Sequence, residues 1–199
     1  MKQGIGALIL FAITFASCQK DSVAPSTKQK QVSTQSSNTS IILNQQTSSN
    51  TAPADTVNGY LRLQLAMDSI NTDGILIDFK PGAKAAYVPG EDAPTMQGFG
   101  KVSLSSLSSD NIPLAINTLP LAGKSLSIGL KVNTSADGIY SLKMCDINSV
   151  PASYDIWLMD KYKKDSLDMS YNKVYAFNLY HADTASFGSN RFKLVIRQK

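Results

Sequence analysis

Alternating apolar and polar residues dominate the chain after residue 60. Leucines at positions 61, 63 and 65 are separated by Arg62 and Gln64, and this two-residue period is typical of a strand that buries one face. The same alternation, or a short apolar run bounded by turn residues such as Asp73-Gly74, Pro89-Gly90 and Asp137-Gly138, recurs along the chain. It predicts nine strands, at residues 61–65, 75–79, 100–104, 113–117, 125–132, 138–144, 154–159, 175–179 and 192–197.

Nine short strands, with no helical period outside the N-terminal apolar run, predict an all-β fold. We expect a single antiparallel β-sandwich of the immunoglobulin-like or Greek-key type over residues 56–199, with a barrel as the alternative. The segment 154–159 is apolar on both faces apart from Asp155, which predicts a central strand with Trp157 in the core. Cys145 is expected to be a small buried apolar residue. Residues 160–168 mix three acids with three lysines and are expected to form a solvated loop.

The N-terminus has the pattern of an export signal. Lys2 precedes an apolar run that ends before Cys18, and as a helix residues 4–16 would span about 20 Å at 1.5 Å per residue. A membrane-spanning helix needs about 30 Å, so residues 1–17 are predicted to be a signal peptide. The pair Ala16-Ser17 before Cys18 resembles the bacterial lipobox, which implies that a diacylglycerol is attached to the Cys18 thiol and that cleavage makes Cys18 the mature N-terminus.

A polar segment follows the cysteine. Between Ser22 and Thr51, 21 of 30 residues are Ser, Thr, Asn or Gln, which is too polar to offset the entropy of ordering. Residues 18–55 are therefore predicted to be a lipidated, disordered and flexible tether, with a stray strand at residues 41–43 as an alternative. Residues 19–21, Gln-Lys-Asp, resemble the export signal of surface lipoproteins of the Bacteroidetes. That resemblance implies an outer-membrane or cell-surface location.

Charge and reactive residues exclude several function classes. The net charge is +4, yet from Thr56 onward 15 Lys and Arg stand against 13 Asp and Glu, so no nucleic-acid partner is expected. One histidine and two cysteines provide neither a zinc ligand set nor a disulfide framework. The stretch 68–74 is predicted to be a hairpin turn, because an aligned calcium loop would put Lys80 where a bidentate Glu is needed. No cofactor, metal or catalytic residue is predicted.

The C-terminal stretch carries a family resemblance. A spaced series of apolar and polar residues looks like the β-sandwich module of large Bacteroidetes surface proteins exported by type IX secretion; the series is Tyr154, Leu158, Asp160, Leu167, Tyr175, Phe177, Asp183, Arg191, Phe192 and Leu194. The resemblance implies a noncatalytic surface module in which Asp160 and Arg191 make a structural contact. Because the sequence stops at Lys199, no C-terminal sorting domain is expected, and the lipid is the expected attachment.

Asp followed by Ser or Thr and a small or aliphatic residue occurs five times, against about one expected by chance. The triplet resembles the O-glycosylation acceptor of exported Bacteroidetes proteins, which implies candidate acceptors at Ser22, Thr56, Ser69, Ser166 and Thr184. The alternative is that Asp-Ser and Asp-Thr simply favour turns.

Together these features predict a membrane-anchored, noncatalytic cell-surface lipoprotein that presents its β-sandwich to an extracellular glycan or surface protein. The alternative is a glycan-binding accessory module, in which exposed members of a set of aromatic residues stack on sugar rings; the set is Trp157, Tyr154, Tyr162, Tyr171 and Tyr180. A third hypothesis, an unusual glycosidase, would draw its carboxylates from Asp155, Asp160, Asp165 and Asp168.

Overall fold

The computed structural model describes residues 57–96, 100–121, 123 and 125–199. These ranges form one 3₁₀ turn, Thr184–Ser186, and eleven strands. The strands are β1 (Gly59–Ala66), β2 (Thr72–Phe79), β3 (Ala93–Pro94), β4 (Val102–Leu107), β5 (Pro113–Leu119), β6 (Ser125–Thr134), β7 (Gly138–Asn148), β8 (Tyr154–Asp160), β9 (Asp165–Asp168), β10 (Val174–Leu179) and β11 (Gly188–Gln198). The all-β prediction is confirmed. Within these residues no helix has the length and apolar character needed to cross a bilayer.

The strands form one mixed sheet in the order β10-β7-β1-β2-β5-β4-β6-β11-β8-β9, with β3 paired to β5 beside this path. The antiparallel prediction is wrong at one position, because β2 pairs with β5 in parallel. The reason is topological: β5 forms an antiparallel pair with β4 and lies between β4 and β2. Alternation along a strand predicts which face each residue occupies, and it does not predict the direction of the neighbouring strand.

The sheet curls around one hydrophobic core and is nearly closed, like a barrel. Apolar residues from strands along the whole sheet order, including the three leucines of β1, are fully buried in this core. The two end regions of the sheet also approach each other through side chains: the ring of Phe177 in the end strand β10 and the ring of Phe192 in β11, two strands from the other end, have centroids 4.8 Å apart. The inward residues therefore match the predicted alternation closely.

Two residues predicted to be buried lie on the outer face. Ile156 and Leu158 of β8 are in the core, so Trp157 between them faces outward, half-buried, with the Arg197 guanidinium 5.1 Å from its ring. Cys145 is half-buried at a β-bulge between β1 and β7. The Trp157 prediction is wrong because apolar residues on both sides of a strand do not identify the inner face, and the Cys145 prediction is wrong because the residue lies at an irregularity of the strand pairing.

Two local assignments also change. Asp73-Gly74 lies inside β2, and the β1–β2 hairpin instead turns at Asp68, whose carboxylate accepts the backbone N–H groups of Ile70 at 2.8 Å and Asn71 at 2.7 Å. These hydrogen bonds lower the pKa of Asp68. The prediction of a hairpin turn in residues 68–74 is confirmed. The predicted loop at 160–168 is wrong in part, because its last four residues form β9 against β8.

Candidate functional site

A β-bulge in β11 positions the most unusual side chain of the fold. Gly188 pairs with Val132 and Phe192 with Leu130, so three residues of β11 stand opposite one residue of β6. A bulge of this kind re-aims side chains. As a result Arg191 and Phe192, although consecutive, are both buried.

Arg191 forms a buried ion pair with Asp160, the last residue of β8. Arg191 Nη2 lies 2.8 Å from Asp160 Oδ2, Nε lies 3.1 Å from Oδ1, and both side chains are 0% exposed. The remaining nitrogen, Nη1, donates to the carbonyl oxygens of Asn178 at 2.8 Å and Ser186 at 2.5 Å. Charge-assisted, two-point contacts are strong and geometrically specific. The predicted contact between Asp160 and Arg191 is therefore present.

Asp160 also accepts hydrogen bonds from outside the pair. The backbone N–H of Tyr162 donates to Oδ1 at 3.0 Å, and the Tyr175 hydroxyl donates to Oδ2 at 3.2 Å. The same hydroxyl lies 3.3 Å from Asp165 Oδ2. Burial, followed by the charges of Asp160 and Asp165, raises the pKa of Tyr175 well above its usual range. Tyr175 therefore stays a neutral hydrogen-bond donor between two carboxylates.

Aromatic rings surround the Arg191 guanidinium. Its central carbon lies 4.6 Å from the ring centroid of Phe192, 4.7 Å from Phe177 and 4.9 Å from Tyr162. Cation–π contacts strengthen when the cation is desolvated. The cluster joins β8, β10 and β11, so its polar groups connect the two ends of the sheet. We name Arg191, Asp160, Tyr175 and Asp165 the seam cluster.

The four carboxylates considered for glycosidase chemistry are engaged at three separate places. Asp160 and Asp165 belong to the seam cluster, Asp155 lies 3.3 Å from Lys199 Nζ, and Asp168 accepts the Ser170 backbone N–H at 2.8 Å. Across the described part of the chain, no group of three or more His, Cys, Asp or Glu residues is arranged to hold a metal ion.

An open groove lies on the outer face of the sheet, behind the seam cluster. Its main cavity has a volume of about 560 Å³ and is lined by outward residues of β11 and β8 such as Lys193, Val195 and Met159. A second cavity of about 340 Å³ shares Ser127, Asn190 and Lys193 with the first. We name the two cavities together the outer groove. Sequence reasoning missed it, although alternation already places Lys193 and Val195 on the same face.

The aromatic residues predicted for sugar stacking do not form one platform. Tyr171, 76% exposed, and the half-buried Tyr154 line a small cavity near the start of β8. Tyr162 and Tyr180, 38% and 45% exposed, follow the ends of β8 and β10 at the opposite end of the fold. Trp157 lies between these pairs, beneath Arg197. A single sugar ring therefore cannot contact the whole set.

The candidate modification sites divide into two groups. Ser69 in a hairpin turn, Ser166 in β9 and Thr184 in the 3₁₀ turn are all exposed. Cys18, Ser22 and Thr56, together with the predicted signal peptide and tether, lie outside the described residues.

The sequence and the structure were compared with known proteins. No protein-family model, curated protein or solved structure gave a significant match.

Proposed function

We propose that this chain is a lipid-anchored, noncatalytic protein of the outer membrane or cell surface. The lipobox-like residues before Cys18 and the short apolar run ahead of them support a diacylglycerol on the Cys18 thiol. One acyl chain binds a membrane only marginally, whereas two or more anchor stably. Residues 1–17 are the signal peptide and 18–55 the tether in this proposal, and the β-domain is the part presented to partners.

The immunoglobulin-like sandwich remains part of this proposal. Phe177 in β10 and Phe192 in β11 belong to strands that are not neighbours in the sheet, yet their rings lie 4.8 Å apart. Residues that face each other across two packed layers make such contacts.

An interaction role is favoured by how the polar residues are used. Arg191 and Asp160 have no exposed side-chain surface and bind each other, so this ion pair has a structural role. The outer groove, in contrast, has exposed lysines that make no ion pair with any described residue. A groove with available polar groups is suited to ligand binding.

The anchoring proposal is tested with Cys18→Ser. We expect this variant to lose acyl labelling and to leave the membrane fraction, because the thiol that carries the lipid is gone. Cys145→Ser is the matched control, since it removes the other cysteine of the chain and should leave labelling unchanged. Intact mass of the mature protein reports cleavage and lipid together. A Cys18→Ser protein with unchanged mass and membrane fraction would refute the proposal.

Glycan binding is the second candidate function. The division of the tyrosines between two ends of the fold argues against one aromatic stacking platform. The outer groove instead favours a glycan held by charge and hydrogen bonds.

A further inference from the structure

The main cavity of the outer groove is lined by more positive than negative side chains. Four cations and two carboxylates line this cavity, namely Lys161, Lys164, Lys193, Arg191, Asp160 and Asp165. Its net charge is therefore +2. Charge concentrated in a concave site raises the local concentration of ligands of opposite sign.

The exposed charges that a ligand would meet are those of three lysines and of the Asp165 carboxylate. Arg191 and Asp160 neutralise each other inside the protein, and Asp165 accepts hydrogen bonds from the Tyr175 hydroxyl and the Ser166 backbone N–H. Lys161, Lys164 and Lys193 are exposed and form no ion pair with any other residue described. Lysine is a flexible point charge with three donors, and it suits anionic groups spaced along a ligand.

The groove extends over two cavities, and neutral hydrogen-bonding groups are more frequent in the second one. Its two cavities join at Ser127, Asn190 and Lys193. Hydroxyl and amide side chains are found along both, including Ser166 in the first and Asn111 in the second. Such groups both donate and accept hydrogen bonds, which matches a ligand that carries hydroxyl groups along its length.

A peptide fits this surface less well. The groove lies over β6, β11 and β8, and each of these strands already has a neighbour on both sides. An extended peptide binds a sheet mainly by adding a strand to an unpaired edge, and the one edge strand that borders the groove, β9, has only four residues. The exposed lysines of the main cavity and the serine and asparagine side chains of the second cavity therefore favour an acidic sugar chain.

We propose that the outer groove binds a linear, carboxylate-bearing glycan, with Lys193, Lys164 and Lys161 contacting the carboxylates and Ser127, Ser166 and Asn190 contacting the sugar hydroxyls. This inference rests on the proposed noncatalytic interaction role and names the ligand class of that role.

Three polymers test the ligand class on the full, detergent-solubilised chain by calorimetry. Polygalacturonate carries both carboxylates and hydroxyls, its methyl ester keeps the hydroxyls without the charge, and polyglutamate keeps the charge without the sugar. We expect polygalacturonate to bind about ten-fold more tightly than either of the others, and raised salt to weaken it. Equal binding of the ester or of polyglutamate, or no binding of polygalacturonate, would overturn the proposal.

Charge reversal tests the location. Lys193→Glu and Lys164→Glu should each weaken polygalacturonate binding by about ten-fold. Lys163→Glu is the matched control, because Lys163 is exposed beside Lys164 yet does not line the groove, and it should change binding by less than about two-fold. An equal loss of binding in Lys163→Glu would mean that the polymer is attracted by the overall charge of the protein, and it would refute the groove as the binding site. Unchanged urea midpoints confirm that the variants are folded.

The two proposals fail separately. If Cys18 carries lipid and polygalacturonate does not bind, the anchoring proposal is supported and the proposed glycan site in the groove is refuted. If polygalacturonate binding is intact in Cys18→Ser and acyl labelling of the native chain is absent, the anchoring proposal is refuted and the proposed glycan site in the groove is supported.

Discussion

Removing one member of the Asp160–Arg191 pair should destabilise the fold more than removing both. In Asp160→Ala, the Arg191 guanidinium stays buried and keeps only two carbonyl acceptors, those of Asn178 and Ser186. It also cannot lose its proton. The backbone N–H of Tyr162 loses its acceptor as well.

The cost follows from these orphaned groups. Breaking a buried ion pair from one side typically costs about 3–5 kcal/mol. We place Asp160→Ala at the upper end of that range, because a backbone donor is orphaned together with the cation. The three rings around Arg191 contact its guanidinium in the native chain as well, so they do not offset the loss.

Arg191→Met should cost less than Asp160→Ala. Asp160 would keep the Tyr175 hydroxyl and the Tyr162 N–H as donors, so fewer polar groups lose their partners than in Asp160→Ala. In the double variant Asp160→Leu with Arg191→Met, no charge of the pair remains buried, and stability should return to within about 2 kcal/mol of the native chain.

Urea unfolding followed by fluorescence provides the measurement. The chain has one tryptophan, Trp157, which lies in β8 three residues before Asp160. Midpoints and slopes from the native chain, Asp160→Leu, Arg191→Met and their double variant complete a double-mutant cycle, and Asp160→Ala is measured beside them. If each single variant lost less than about 1 kcal/mol, or if the double variant lost the sum of the two, the assignment of the cluster as a coupled seam would be refuted.

Two further predictions concern polar contacts elsewhere in the fold. The buried Asp92 carboxylate accepts hydrogen bonds from the backbone N–H groups of Val88 and Thr118, each at 2.7 Å. Asp92→Ala should lower the free energy of unfolding by about 2–3 kcal/mol, because both donors lose their acceptor. A urea midpoint unchanged from the native chain would contradict this. His181 has a raised pKa because Asp137, 2.7 Å from Nδ1, stabilises its protonated ring. The stabilisation from this contact is fully present below the pKa that His181 has in the unfolded chain. It is lost as pH rises through the higher pKa that His181 has in the folded protein. The stability difference between the native chain and Asp137→Asn should therefore narrow above pH 6.5, and a difference that widens with pH would contradict it.

The predicted strands could be located because each carries its own period. Leu61, Leu63 and Leu65 identify their inner face without knowledge of any neighbour. β9 gave no such signal, since its four residues contain one apolar side chain, Leu167, and the segment is a strand only because β8 pairs with it. The parallel β2–β5 contact is likewise a property of chain topology.

The seam cluster was predictable only as a contact, and the outer groove was not predictable at all. The family-like spacing of Asp160 and Arg191 suggested a structural pair. Nothing in the sequence indicated the bulge that turns Arg191 inward next to Phe192. The groove combines residues from β6, β8 and β11 with residues of their loops, and only the folded sheet brings these segments together.

The seam also explains how a sheet with two free ends provides a defined surface. β9 pairs only with β8, and β10 only with β7, among the strands described, and open edges invite pairing with other chains. Here the Tyr175 hydroxyl reaches Asp165 in β9 and Arg191 binds the Asn178 carbonyl in β10, so side chains connect what backbone hydrogen bonds do not. Because Arg191 and Asp160 also border the outer groove, the contacts that close the fold fix the strands that carry Lys193 and Met159. A disturbed seam should therefore loosen the groove as well, and polygalacturonate binding by the Arg191→Met variant measures that coupling.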